Sequence, residues 1–225
     1  MRVTILQPNY IPWRGYFDFI KQSDAFVFYD DVQYTKNDWR NRNLIKTRDG
    51  VQWMTIPVDD SHLIKNKLLI MDAKILQNEW QNRHLNLLEE NYRHAPYYGE
   101  VISIMKEAYC EETEMLSKLN VLLMKKINDY LGFTNCKTYL SSDMGYKELA
   151  PTDRLVAICK RLGATEYLSG DAAKEYLEVD KFGDIKILWH RYYEKIYPQL
   201  HGEFISRVSI IDTIMNCGIK TRDIV

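Results

Sequence analysis

The sequence predicts an α/β protein: a mostly parallel, three-layer sheet core built from both ends of the chain, with a helical insertion between them. Three observations predict it. First, Val3–Leu6, a short helical run and Ala25–Asp30 give strand, loop, helix and strand within about 30 residues, the length of a βαβ unit with parallel strands and a right-handed crossover. Second, from Ala73 to about Gly132 apolar residues recur at three- and four-residue steps, as an amphipathic helix requires. Third, short apolar runs alternating with a helix return after Cys136. The expected division is therefore an α/β core of residues 1–72 and 136–225, with a helical subdomain at 73–135.

Val3–Leu6 is apolar and β-branched, the mark of a buried strand. Gly15–Gln22 then reads as a short helix with Phe17 and Ile20 inward, and Asp24 precedes the second strand, AFVFYD. Asn43–Arg48 and Val51–Val58 flank Asp49-Gly50, a turn pair that joins antiparallel strands in a hairpin. Lys67–Met71 has the texture of another strand, after a polar loop containing His62. In the helical region Leu116, Leu119, Leu123, Ile127 and Tyr130 share a stripe, with Thr113 as the expected N-cap and Gly132 as the stop. Thr138–Leu140, Glu166–Leu168 and Ile185–Trp189 are strands, Pro151–Leu162 is a helix ended by Gly163, and Ser209–Asn216 is the last helix.

Composition narrows the function classes. Lys plus Arg is 30 against 31 Asp plus Glu, a net charge of -1. That balance argues against sequence-independent nucleic-acid binding, which usually needs a basic excess. The four cysteines lie far apart without a CxxC pair, so they are expected as reduced thiols of a cytoplasmic protein. No apolar run approaches the roughly 20 residues of a membrane span, and Met1 is followed by a strand pattern rather than a signal peptide. Sixteen tyrosines suit either sticky clefts or the edges of a core.

The chemistry-bearing residues gather where strands end, the rim on which open α/β sheets bind ligands. After the first strand, Gln7, Asn9, Tyr10, Trp13, Gly15 and Tyr16 share one short loop. Gly15 permits close backbone approach, the following helix start offers N–H groups to an anion, and the rings can stack on a base or sugar. The same rings can instead cap the sheet. After the second strand comes DDVQYTKNDWRNRN. Alternation sends Asp30 and Asp31 to opposite sides, leaving one to act as a general base. Gln33, Lys36, Trp39, Arg40 and Arg42 supply polar, aromatic and phosphate-matching groups, or an ion-pair network with the aspartates. Ser169 and Asp171 end a later strand, and Ser209 and Asp212 open the last helix; turn and capping roles compete with ligand contact for both. His84 and His94 are expected on a helix surface, and no histidine spacing supports a metal site.

QPNYIPWRGYFDFI, AFVFYDDVQYTKNDWRNRN, WMTIPV, YLSG and SIIDTIMNCG together resemble the WbqC-like family over essentially the whole chain. The resemblance implies cytoplasmic work on O-antigen or capsule sugars: a transferase placing a small acyl or aminoacyl group on a nucleotide-activated amino sugar. It implies a phosphate-bearing small-molecule substrate, an activated acyl or aminoacyl donor, and room for a carrier protein or a second copy as partner. A weaker similarity is to the HxGH nucleotidyltransferase superfamily, with its HUP-like core. Trp13 and Tyr16 stand at the two histidine places around Gly15, and ISRVSIIDTIMNCG is similar to the later phosphate-closing segment. That similarity implies a second reading, a non-catalytic nucleotide- or nucleotide-sugar-binding module, and keeps an RNA partner in view.

Overall fold

The computed structural model describes residues 1–59, 68–111 and 113–225. Five parallel strands form the central sheet: β1 (Arg2–Leu6), β2 (Ala25–Phe28), β5 (Lys137–Leu140), β6 (Glu166–Gly170) and β7 (Lys186–His190). Their order is β5-β2-β1-β6-β7. The chain lays strands outward on one side of β1 and then crosses to the other, so the winding reverses between β1 and β6. Val3 pairs with Ala25 and with Tyr167, which sets the register of the three inner strands.

The inner strands alternate between two apolar layers. Val3, Ile5, Ala25, Val27 and Tyr167 point to one side, against Leu155, Val156 and Cys159 of α5 (Pro151–Arg161). Phe26, Phe28 and Leu168 point to the other, where α1 (Arg14–Lys21) supplies Phe17 and Ile20 and α6 (Ile210–Cys217) supplies Ile211 and Ile214. Burying one such side chain contributes about 1.5–3 kcal/mol, and the core holds dozens of them.

The helical region is α2 (Trp80–Tyr92), α3 (Tyr98–Cys110) and α4 (Leu116–Leu131). Leu119, Leu123 and Ile127 of α4 join the same apolar cluster as Phe17 and Phe26. Gly132 ends α4 at φ 75, a left-handed conformation that glycine adopts without strain. The antiparallel hairpin β3 (Arg42–Thr47) and β4 (Gly50–Thr55) stands apart from the main sheet. The terminal α7 (Thr221–Ile224) packs beside α6.

Three local expectations need correction: α6 is followed by the short α7 instead of being the last helix, and two more lie earlier in the chain. Where Lys67–Met71 was expected to be a strand, Leu69 makes an isolated bridge with Gln33 and Ile70–Asp72 is a 3-10 turn; Lys67 and His62 lie outside the described residues. The N-cap of α4 is Met115 rather than Thr113, because the Thr113 hydroxyl accepts the Met115 N–H at 3.3 Å, before the helix opens.

Candidate functional site

The rim of the sheet has two ends of opposite character. At the inner end, beyond β1 and β6, the aromatic loop is largely packed. Tyr10 is fully buried, its hydroxyl bonded to Nδ1 of His84 at 2.9 Å and to the Tyr109 hydroxyl. The Tyr16 hydroxyl donates to the Gln7 carbonyl at 2.7 Å, and its ring meets Phe26 at 5.5 Å. The stacking faces expected of Tyr10 and Tyr16 are therefore inside the core, since each hydroxyl finds a protein acceptor and each ring an apolar neighbour. Trp13 is half-buried and lies over Gly15; a Cβ built on Gly15 would come within 2.4 Å of the ring. The absence of a side chain at Gly15 thus lets the protein's own indole approach. Asn9 leaves its Oδ1 buried with no hydrogen-bond partner.

Chain beyond β7 crosses this end. Tyr192 meets the Trp13 ring edge-on at 5.1 Å, and the buried Arg14 pairs with Glu194 at 3.0 Å, bonds the Lys195 carbonyl at 2.8 Å and stacks on Tyr197. A carboxylate of the chain therefore meets Arg14 at the start of α1, where an anion was expected. Ser209 caps α6 by accepting the Ile211 N–H, and donates its hydroxyl to the Ile11 carbonyl at 2.5 Å. Asp212, expected as a capping residue, is buried, with its carboxylate accepting from Tyr92 and Tyr197 at 2.6 Å each and from Gln199 at 2.9 Å. Burial raises its pKa, only partly countered by those donors.

The Arg-rich loop does meet the aromatic loop, through backbone. The Tyr10 N–H donates to the Trp39 carbonyl at 2.9 Å, and Asn120 of α4 bonds the carbonyls of Pro8 and Arg40 at 3.0 and 2.8 Å. The guanidinium groups, however, have partners of their own. Arg40 pairs with Asp38 at 2.7 Å and bonds Thr35, and Arg42 lies 4.1 Å over Trp53. Gln33 and Lys36 are exposed, and Trp39 rests 5.4 Å from Trp53 on the surface. Ser169 is buried in the sheet, whereas Asp171 is exposed in a turn and pairs with Lys174 at 2.7 Å.

At the outer end, beyond β2 and β5, the two aspartates converge instead of diverging. Both are buried. The chain leaves the strand at Phe28, so alternation no longer governs Asp30 and Asp31. The Ser141 hydroxyl lies 3.1 Å from Asp30 Oδ1 and 2.5 Å from Asp31 Oδ1. It has one hydrogen to give, so the other carboxylate relies on other donors. For Asp30 these are the Ser142 N–H at 3.0 Å and the Ser142 hydroxyl at 2.9 Å; for Asp31, Arg154 stands at 3.7 Å. Burial pushes the Asp30 pKa up, and the hydrogen bonds from Ser142 and Ser141 offset part of that rise.

Asp30 and Ser142 line a cavity of about 400 Å³ between the sheet edge and α4. Lys118 and Lys125 of α4 and Asp143 complete its charged wall, with Met71, Leu122 and Leu140 among the apolar residues. Ser141 and Ser142 follow β5, as Asp30 follows β2, and β2 pairs with β5 in the sheet. Each strand end is legible in the sequence, but that adjacency is not, and neither Lys118 nor Lys125 stands in a motif that marks it.

The histidines are structural in their contacts. His84 is buried rather than on a helix surface, and burial holds its pKa down to about 4. His190 meets Asp18 at 2.7 Å and stacks on Phe19, His201 bonds the Asn91 carbonyl at 2.7 Å, and His94 is exposed. Among the described residues, no cluster of three or more His, Cys, Asp or Glu could hold a metal ion. The four cysteines are free, and Cys159 is buried in α5 against the sheet.

A doubly wound parallel sheet with a buried carboxylate pair on its rim defines a class, an α/β protein with a ligand-sized recess beyond its strands. Comparison with known proteins gives the family: residues 7–224 match the WbqC-like protein family. The chain belongs to that family, which is linked to polysaccharide biosynthesis. It is also 42% identical over 228 residues to the uncharacterized protein Rv1507c of Mycobacterium tuberculosis (strain ATCC 25618 / H37Rv), covering 99% of this chain and 96% of the relative. No solved structure gives a significant match, and no helix among the described residues is long and apolar enough to cross a membrane.

Proposed function

We propose that this chain is a cytoplasmic transferase of surface-polysaccharide assembly, placing a small acyl or aminoacyl unit on the amino or hydroxyl group of a nucleotide-activated sugar. The observation that carries the reading is Asp30: a buried carboxylate with raised proton affinity, lining a recess beside cationic side chains. Such a group suits a general base, because a raised pKa strengthens its hold on the proton it takes. As the acceptor nitrogen or oxygen bonds to the acyl carbon, its proton passes to Asp30, directly or through the Ser142 hydroxyl. The bond from the acyl carbon to the leaving group breaks, and its electron pair departs with that group. Asp31, beside Arg154 and Ser141, positions the shared serine.

Isothermal titration with a panel of nucleotide-sugars, followed by mass spectrometry of each binder incubated with activated acyl or aminoacyl donors, tests this. The expected outcome is transfer by the wild type and a loss of about 10²–10⁴-fold in Asp30→Asn, with binding retained. No nucleotide-sugar bound at millimolar concentration, or full transfer by Asp30→Asn, contradicts it. A second reading, a binding module derived from a nucleotidyltransferase, is favoured by Trp13 covering Gly15 and by the buried Tyr16. Tight binding with no transfer from any donor would support it.

A further inference from the structure

The recess at Asp30 continues past it. A second cavity of about 360 Å³ shares Val121, Lys125, Leu140 and Asp143 with the first and runs along β5 to Arg161 of α5. The two form one groove on the open edge of the sheet, with Asp30 toward one end, Lys125 in the shared middle and Arg161 at the other end. We propose that this groove is the binding site for a pyrophosphate-bearing ligand of the nucleoside-diphosphate type, whose anion is held by Lys125 and Arg161.

Charge and spacing carry the assignment. Lys118, Lys125 and Arg161 face Asp30 and Asp143 across the groove, an excess of positive charge in a protein whose net charge is -1. None of the three cations forms an ion pair among the described residues; Arg161 has its Met144 carbonyl contact at 3.0 Å and the Tyr146 ring at 6.0 Å. This contrasts with Arg40, Arg14 and Arg154, each of which faces a carboxylate. Lys118 and Lys125 stand seven residues apart on α4, an axial rise of about 10 Å. Lys125 lines both cavities, whereas Lys118 lines only the one that holds Asp30, so Lys125 and Arg161 are the two cations set to meet the two phosphates of a pyrophosphate. Between the lysines, Val121 and Leu122 face Leu140, an apolar floor for a sugar or base face. Guanidinium adds two-pronged recognition of phosphate oxygens at the far end.

This placement rests on the reading of Asp30 as the reacting end, and it fixes the direction in which substrate lies: pyrophosphate toward Arg161, acceptor group toward Asp30. Lys125 and Arg161 are exposed side chains, so their substitution leaves the fold intact. The test titrates inorganic pyrophosphate, with inorganic phosphate as a second arm, into the full chain at low salt. The wild type is expected to bind pyrophosphate in the millimolar range or tighter, and more tightly than phosphate. Lys125→Gln and Arg161→Gln should each weaken it at least threefold and the double variant at least tenfold, whereas the remote Lys174→Gln should keep it within about twofold. No pyrophosphate binding by the wild type, or binding indifferent to both groove substitutions, overturns the proposal. Transfer lost in Asp30→Asn with pyrophosphate indifferent to Lys125 and Arg161 removes the groove assignment alone. Groove-dependent binding with transfer unaffected by Asp30→Asn removes the role of Asp30 alone.

Discussion

The inner and outer ends of the strand rim are built from similar material and finished differently. Beyond β1 and β6, the place where doubly wound sheets usually hold a ligand, Trp13 covers Gly15, Glu194 meets Arg14, and chain after β7 lies across both. Beyond β2 and β5 the carboxylates of Asp30 and Asp31 share a serine beneath a recess whose lysines lack carboxylate partners among the described residues. The inner end is held by the chain's own groups, and the outer end keeps its charged groups facing a cavity. A rim position is therefore not evidence of a site until the partners of its side chains are counted.

That contrast predicts stability effects at the inner end and binding effects at the outer one. The largest is Asp212→Ala, which strips an acceptor from Tyr92, Tyr197 and Gln199; each buried donor left without an acceptor costs about 1–3 kcal/mol, so the total should reach about 3–5 kcal/mol. Urea denaturation should register that loss, and a change under about 1 kcal/mol would mean that the clamp on the inner end is loose.

Next comes His84, the partner of Tyr10. Its folded pKa of about 4 lies below the ordinary 6.5, so the unfolded chain takes up the proton first. Its contribution is complete above about pH 6.5 and declines as pH falls toward 4. Roughly 2 kcal/mol should be lost by pH 5, and His84→Gln should lack that component of the acid sensitivity.

Gly15→Ala forces the Trp13 ring to move and should cost about 1–3 kcal/mol, with a shift in tryptophan emission. The smallest stability change belongs to the outer end. Asp30 has a raised folded pKa, so wild-type stability falls as pH rises from the ordinary aspartate value through the folded one. Asp30→Asn escapes that penalty. Its melting temperature at pH 7 should equal or exceed the wild type's, and the difference should shrink on acidification. A variant that melts well below the wild type at pH 7 would assign Asp30 to the scaffold.

Much of the fold was legible because each β-strand and helix signals its own burial. AFVF, hidden on both faces, and Gly132 at the end of α4 speak locally. Strand order does not, and with it went the neighbour relation between β2 and β5 that unites Asp30 with Ser141 and Ser142, more than a hundred residues on. Asp30 and Asp31 were identifiable as rim carboxylates, but their convergence was not, because the strand ends at Phe28 and its two-residue alternation ends with it. Tyr10 and Tyr16 illustrate the reverse difficulty: amphipathic rings read the same whether their hydroxyls meet solvent or His84 and Gln7. Lys118 and Lys125 look like any solvated helix face until β5 is set beside them.

Amide hydrogen exchange with and without each nucleotide-sugar of the titration panel locates binding on the molecule without presuming the reaction. A ligand that protects Leu140–Met144 and the α4 segment Lys118–Lys125, leaving Gln7–Gly15 unchanged, is the result expected here. Protection confined to Gln7–Gly15 and the chain after β7 would return the site to the inner end and contradict the account.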